Sequence, residues 1–293
     1  MGQGLSKQKT IRVGGVPEHF NLPWHLAIED NAFATCDLDV KFVEYPGGTG
    51  AMTKALSSND LDMALLLYEG AVTNILRGHE NRLVKVYVKS PLIWGIHVAA
   101  DSSIHEVDEI NGKVFAISRA GSGSHLIAIV DAAERGWPID EMKFSKVGDL
   151  AGAREKLANG KVDVFLWEKF TTQPLVDSGE FRRVGERVVP WPAFVVCVRK
   201  DFLDENHVGI RRILTVVDEY CAKFKSNPQA TDVISNEFNI KPADCEQWFS
   251  HVQWNQGFDF DEKDFSTLIQ YLKRVDLISD EPVSAEDVWE LLK

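Results

Sequence analysis

Short runs of apolar, often β-branched residues alternate along most of this 293-residue chain with stretches in which apolar positions recur every three to four residues. The runs predict buried strands, and the 3.6-residue period of the stretches predicts amphipathic helices. Strands are expected at residues 11–16, 38–44, 60–66, 83–88, 94–99, 113–117, 142–147, 163–167 and 194–198, with helices between them at residues 25–31, 52–57, 71–77, 124–135, 150–159 and 171–177. This alternation predicts an α/β fold with mainly parallel sheets and helices on both faces.

The pattern changes near residue 205, after which it is mainly helical. Helices are expected at residues 208–224, 228–237, 242–251, 261–274 and 285–292. The strand-rich part also repeats itself, because residues 59–64 and 160–165 each leave a helix, turn, and enter a short apolar strand. The chain is therefore predicted to form two α/β units with a helical C-terminal region.

A glycine- and serine-rich turn joins the strand at residues 113–117 to the helix after it. A helix that begins in such a turn directs free backbone N–H groups and the positive end of its dipole at one point, which suits a carboxylate, sulfonate or phosphate group. The same residues could equally form an ordinary capped turn between a strand and a helix. The candidate ligand-binding residues here are Ser118, Gly121, Ser122, Gly123, Ser124 and His125.

A second turn of this kind, at residues 47–51, holds the corresponding place in the first half, with Thr49 and Gly50 as its candidate ligand-binding residues. Two such helix starts could face each other across a cleft. Neither turn has the glycine spacing of a dinucleotide-binding fingerprint or the Gly-Lys-Ser/Thr end of a P-loop, so nucleotide binding is not predicted.

Aromatic and acidic residues follow several predicted strands, where open α/β sheets bind their ligands. Glu69 and Glu168 occupy matching positions and could recognise an amine or a ring nitrogen, or could simply be carboxylates at helix starts. A single tryptophan is usually a packing residue, but four near the expected cleft predict an aromatic-lined pocket. The remaining candidate ligand-binding residues are His19, Phe20, Asn21, Trp24, Tyr68, Glu69, Trp94, Trp167, Glu168 and Trp191.

Composition and charge exclude some classes of binding partner. The net charge of -12 argues against nucleic acid or an anionic membrane as the main partner. No run of apolar residues is long enough to span a membrane and the N-terminus has no secretory signal pattern, so a cytoplasmic location is expected. Residues 1–9 are expected to form a flexible tail, in which Gly2 fits the short N-myristoylation pattern. The chain has four cysteines, Cys36, Cys197, Cys221 and Cys245. They lack the spacing of metal ligands, so no metal site is predicted.

The order and spacing of these parts resemble the type II periplasmic-binding-protein fold, and within it the branch of sulfonate-binding proteins and fungal thiamine-pyrimidine synthases. The segments that carry the resemblance are residues 22–27, 47–50, 60–64, 110–114, the turn at Gly121 and residues 199–203. The resemblance covers most of residues 10 to 275. It implies a ligand held between two lobes, lobe I from residues 10–95 and 199–293 and lobe II from residues 96–198, joined by crossing strands near Ile96 and Val196.

The sequence departs from the residues that the synthase resemblance implies. Asn21 stands where those enzymes carry a sacrificial histidine, and Leu66 stands where they carry the lysine that binds pyridoxal phosphate. Their cysteine-rich run falls on residues 190–192, with only Cys197 nearby. These replacements disfavour the known synthase chemistry.

Three hypotheses follow. The first is a binding protein without a cofactor or catalytic residues, which closes on a small, anionic and partly aromatic metabolite, with a thiamine precursor as one candidate. The second is a pyridoxal-phosphate enzyme of thiamine pyrimidine synthesis, with Lys54 or Lys169 as the Schiff-base lysine. The third is an interaction protein tethered to a membrane through acylated Gly2.

Overall fold

Two five-stranded sheets form the frame of the protein, in a computed structural model that describes residues 9–36 and 38–292. The first sheet contains β1 (Lys9–Gly15), β2 (Leu38–Glu44), β3 (Met63–Leu67), β4 (Asn81–Val88) and β10 (Phe194–Arg199). The second contains β5 (Ile93–Ala99), β6 (Val114–Ile117), β7 (Lys143–Lys146), β8 (Val164–Glu168) and β9 (Phe181–Val188).

The two sheets have the same topology. Their strand orders are β2-β1-β3-β10-β4 and β7-β6-β8-β5-β9. In the first sheet β1 is parallel to β2 and β3, and in the second β6 is parallel to β7 and β8. The crossing strands β10 and β5 run antiparallel to both of their neighbours. Each lobe is therefore a mixed sheet, less parallel than the alternating pattern predicted.

Helices cover the sheets and form most of the C-terminal region. They are α1 (Leu22–Glu29), α2 (Thr49–Ser57), α3 (Tyr68–Leu76), α4 (Gly123–Glu134), α5 (Leu150–Ala158), α6 (Gln173–Asp177), α7 (Lys200–Ser226), α8 (Ala230–Phe238), α9 (Pro242–His251) and α10 (Glu262–Arg274). Within the described ranges, no helix combines the length and the apolar character needed to cross a bilayer.

The chain passes from one sheet to the other twice. All of β5 belongs to the second sheet, and β10 pairs with β3 and β4 in the first. We call the first sheet with its helices lobe I and the second sheet with its helices lobe II, and the predicted residue boundaries of the lobes stay a prediction. The predicted tail, apart from Lys9, and its Gly2 lie outside the described residues.

Two elements differ from the sequence prediction. β9 was not predicted, because its three arginines and one glycine obscure the alternation of apolar and polar residues that marks a strand. It pairs with β5 at the edge of the second sheet. The predicted helix at residues 285–292 is wrong. A capping box at Ser284 starts only a short 3-10 turn, Ala285–Asp287, and Trp289 then pairs with Leu83 beside β4.

The C-terminal region holds the loop after β1 in place. Trp254 and Tyr87 both donate hydrogen bonds to the carbonyl of Phe20, over 3.0 and 2.7 Å. The buried Lys85 amino group contacts Asp218 of α7 at 3.0 Å and the carbonyl of Gly257. The two hydrogen bonds to Phe20 hold the loop that carries Glu18.

Candidate functional site

A cavity lies between the two lobes and encloses about 420 Å³ of space free of protein atoms, including its opening to solvent. Lobe I contributes Val16, Glu18, Gly47, Gly48, Thr49, Leu67 and Phe194 to its lining. Lobe II, with the residue that precedes β5, contributes Leu92, Trp94, Ser118, Ser122, Gly123, Ser124, Trp167 and Glu168.

The start of α4 opens onto this cavity, as the glycine- and serine-rich turn predicted. Ser122 is the extended N-cap residue, and its carbonyl accepts hydrogen bonds from the N–H groups of His125 and Leu126. The N–H groups of Gly123 and Ser124 belong to the first turn and have no acceptor within the helix. Because they face a small enclosed space with the helix dipole behind them, they favour a negatively charged group there.

Two further donors in this wall are buried without a partner in the described part of the chain. The indole nitrogen of Trp94 and the hydroxyl of Ser118 contact no acceptor or donor, although the residues are only 3% and 4% exposed. Leaving such a group unpaired costs about 1–3 kcal/mol. A ligand with several acceptor oxygens would relieve that cost.

The start of α2 reaches the cavity from lobe I. Gly48 precedes the helix with φ 68° and ψ -161°, a conformation open essentially to glycine, and this turn brings Thr49 to the cavity wall. The Thr49 hydroxyl accepts a hydrogen bond from the N–H of Leu67 at 3.1 Å. The predicted pair of helix starts therefore meets at one cleft.

Two buried carboxyl groups also line the cavity, one from each lobe. Burial, and then the charge of Glu168, raise the pKa of Glu18 to about 8. Burial raises the pKa of Glu168 to about 7, against hydrogen bonds from the N–H and hydroxyl of Thr171 at 2.6 and 2.9 Å. Glu168 was among the predicted residues and Glu18 was not, since only the fold shows that Glu18, and not its neighbours, reaches the cavity.

Side-chain contacts join the two lobes, some beside the cavity and others farther from it. Arg119 of lobe II donates a hydrogen bond to the carbonyl of Gly47 in lobe I at 2.7 Å. Lys241 on α9 pairs with Asp177 on α6 at 2.9 Å, and α10 reaches α4 through an ion pair between Arg274 and Glu134. These contacts hold the two lobes against each other.

Other predicted ligand-binding residues lie outside the cavity lining. They are His19, Phe20, Asn21, Trp24, Gly50, Tyr68, Glu69, Gly121, His125 and Trp191. His19 is the clearest case, because its ring packs between Phe20 and Trp248 and burial lowers its pKa to about 3. Neither ring nitrogen has a hydrogen-bond partner in the part of the chain that the structure describes. Neutral at physiological pH, His19 packs as a core residue.

Several of these residues support the walls instead. Asn21 donates to the carbonyl of Val16 at 2.7 Å and so shapes the loop after β1. His125 accepts a hydrogen bond from the N–H of Gly121 at 3.0 Å, which holds the turn before α4. Gly50 lies against the Arg119 side chain, where a Cβ atom would come within 2.3 Å of Nε.

The aromatic candidates divide between the cavity and the core. Trp94 and Trp167 line the cavity, whereas Trp24 is fully buried against Phe33. Trp191 donates to the Glu69 carboxyl group at 3.0 Å, and Tyr68 packs edge-on against Trp289. The aromatic-lined pocket is therefore built by two of the four tryptophans.

The lysines of the enzyme hypothesis stand apart from the cavity lining. Lys54 is exposed on α2, and Lys169 forms an ion pair with Glu186 of β9 at 2.9 Å. Leu66, at the place of the synthase lysine, is buried within β3.

Comparison with known proteins agrees with this geometry. The Candida albicans CA3427 gene product, described as exhibiting the generic periplasmic-binding-protein fold, superposes with a TM-score of 0.86 at 25% identity, over 93% of this chain and 92% of that one. This chain has the periplasmic-binding-protein fold. Residues 94–187 match the family described as Ca3427-like PBP. No curated protein matches the sequence.

More distant structures share this periplasmic-binding-protein fold. The alkanesulfonate-binding protein SsuA from Xanthomonas axonopodis pv. citri, bound to MOPS, has a TM-score of 0.80 at 15% identity, over 97% of this chain and 99% of its own. PhnD1 from Prochlorococcus marinus, in complex with methylphosphonate, has a TM-score of 0.63 at 11% identity, over 93% and 100%. The predicted resemblance to the branch that includes sulfonate-binding proteins is confirmed at the level of the fold.

Proposed function

We propose that this protein is a solute-binding protein whose two lobes close on a small ligand with a sulfonate, phosphonate, phosphate or carboxylate group. The observation that carries the proposal is the start of α4, where free N–H groups line a cavity between the lobes. Two buried donors of the same wall, Trp94 Nε1 and Ser118 Oγ, have no hydrogen-bond partner among the described residues. The negative group lies at that helix start, and the ligand body packs against Trp94 and Trp167.

The ligands of similar folds support the chemistry but do not identify the ligand. SsuA is described with MOPS, a sulfonate, and PhnD1 with methylphosphonate. Both ligands place a tetrahedral anionic group on a small body, which suits a confined cavity with converging N–H and O–H donors. A thiamine pyrimidine phosphate shares that group and belongs in the same test.

A ligand screen in a sulfonate-free buffer tests the proposal. Thermal unfolding is measured with MOPS, short alkanesulfonates, methylphosphonate, carboxylates and thiamine pyrimidine phosphate, and every hit is titrated by calorimetry. A ligand at a hundred times its Kd stabilises the folded state by about 2.7 kcal/mol. At least one anionic class should raise the unfolding temperature and saturate with one site per chain. If no member stabilises the protein at millimolar concentration, the proposed function is wrong.

A further inference from the structure

The charged groups in the cavity are acidic. Among the described residues that line it, the ionisable side chains are Glu18 and Glu168, and no lysine, arginine or histidine joins them. A cavity that bound only an anion would be poorly served by two carboxyl groups, since each of them repels a negative ligand whenever it is ionised. Their presence needs a different explanation from that of the α4 donors.

The two carboxyl groups come from opposite lobes and are positioned differently. Glu168 ends β8 in lobe II and is 3% exposed, and its Oε2 is anchored by Thr171. Glu18 lies in the loop after β1 in lobe I and is 6% exposed, yet its carboxyl group has no hydrogen-bond partner among the described residues. Because Glu18 also lines the cavity, its carboxyl group can accept a hydrogen bond from a donor on a ligand there.

Among the described residues, neighbouring positive charges do not pair with the Glu18 carboxyl group. Arg183 of β9 is near enough to Glu168 to favour its charged form. Among the described residues, no positively charged side chain favours the charged form of Glu18, which instead meets the charge of Glu168. With these raised pKa values, the pair of Glu18 and Glu168 holds a proton between pH 7 and 8. A bound cation favours the charged carboxylates and would therefore displace that proton.

Resting on the proposed function, we infer that the ligand is zwitterionic, with an ammonium or amidinium group held between Glu18 and Glu168 and its anionic group at the start of α4. The cation would satisfy a carboxyl group from each lobe at once, so it would bridge the cleft and favour closure. An aminoalkyl sulfonate, phosphonate or carboxylate has the required chemistry.

Matched ligands test this on the unmodified protein. Calorimetry compares 2-aminoethanesulfonate with 1-propanesulfonate, in which a methyl group replaces the ammonium, and 2-aminoethylphosphonate with propylphosphonate. The amino ligand of each pair should bind at least tenfold more tightly and release protons at pH 7.5, measured with an indicator dye in weak buffer. If each pair binds equally and no proton is released, the zwitterion inference is wrong while the proposed function stands. If neither ligand of either pair binds, both fail.

Substitutions test which residues cause the preference for the amino ligand over the methyl ligand. Glu18→Gln and Glu168→Gln keep the shape of the side chain and remove its charge, so each should reduce the ratio between amino and methyl ligands toward one, with little loss for the methyl ligands. Glu141→Gln, on an exposed residue away from the cavity, is the control and should leave the ratio unchanged. A ratio that persists in both cavity variants contradicts the assignment, and if a variant does not fold, the comparison on the unmodified protein decides.

Discussion

Ser122→Asp places a fixed negative charge where the ligand anion is proposed to lie. Ser122 is the N-cap of α4, is 3% exposed, and lines the cavity. Aspartate is as good an N-cap residue as serine, so the helix itself should keep its stability. The substitution therefore separates folding from anion binding.

The size of the effect follows from Coulomb's law. A carboxylate about 5 Å from a bound anion, at an effective dielectric constant of about 20, repels it by about 3 kcal/mol. The Kd of a sulfonate or phosphonate should rise about a hundredfold or more. Calorimetric titration measures this change, and thermal unfolding without ligand verifies that the fold is intact.

Two control variants separate the effect of a charge at residue 122 from the effect of side-chain shape there and from the effect of the protein's net charge. Ser122→Asn keeps a polar N-cap of similar size without charge and should bind within a few-fold of the unmodified protein. Ser103→Asp adds the same charge on an exposed loop of lobe II and should leave the Kd unchanged. If Ser122→Asp binds an anionic ligand within about threefold of the unmodified protein, the ligand lies elsewhere and the reasoning fails.

Other predictions follow from the buried groups around the cleft. Burial raises the pKa of Glu69 from 4.5 to about 7, so the folded state binds more protons than the unfolded state between these values and loses stability as pH rises through them. Glu69→Gln should therefore raise stability at pH 8, by about 3 kcal/mol at most, and denaturant unfolding at pH 5 and pH 8 should show a flatter pH dependence. Arg119→Ala removes the 2.7 Å hydrogen bond to the Gly47 carbonyl, so small-angle scattering should show more open lobes and Kd should rise about tenfold. Gly123→Ala puts a Cβ atom 2.3 Å from the Leu67 side chain across the cleft. It should weaken ligand binding, while the thermal unfolding temperature stays near that of the unmodified protein. An unchanged Kd would show that the Leu67 side chain moves aside without cost.

Much of the fold could be predicted because local patterns determine it. The strand at Leu38–Glu44 and the helix at Pro242–His251 have the predicted bounds, since both have clear periodicity and end signals. Strand β9 escaped prediction because its arginines serve tertiary partners, as Arg187 pairs with Asp131 at 2.6 Å. The chain after Ser284 reads as a helix, but its pairing with β4 overrides that propensity.

The candidate site could be predicted where backbone geometry creates it and not where side-chain direction decides it. The helix starts at Thr49 and Ser122 were visible as glycine-rich turns after strands. Glu18 was missed beside predicted His19, because only the tertiary structure buries the histidine under α9 and turns the carboxyl group into the cavity. Sequence position gave Trp24 the same weight as Trp94, although only the latter reaches the cavity.

The most direct test of the central claim is a backbone-amide and indole NMR titration with a ligand from the anionic panel. The largest shifts are expected on the amides of Ser122, Gly123 and Ser124 and on the indole N–H of Trp94, all saturating with one Kd. Saturable shifts that cluster away from the start of α4, or no shifts at these groups, would contradict the claim.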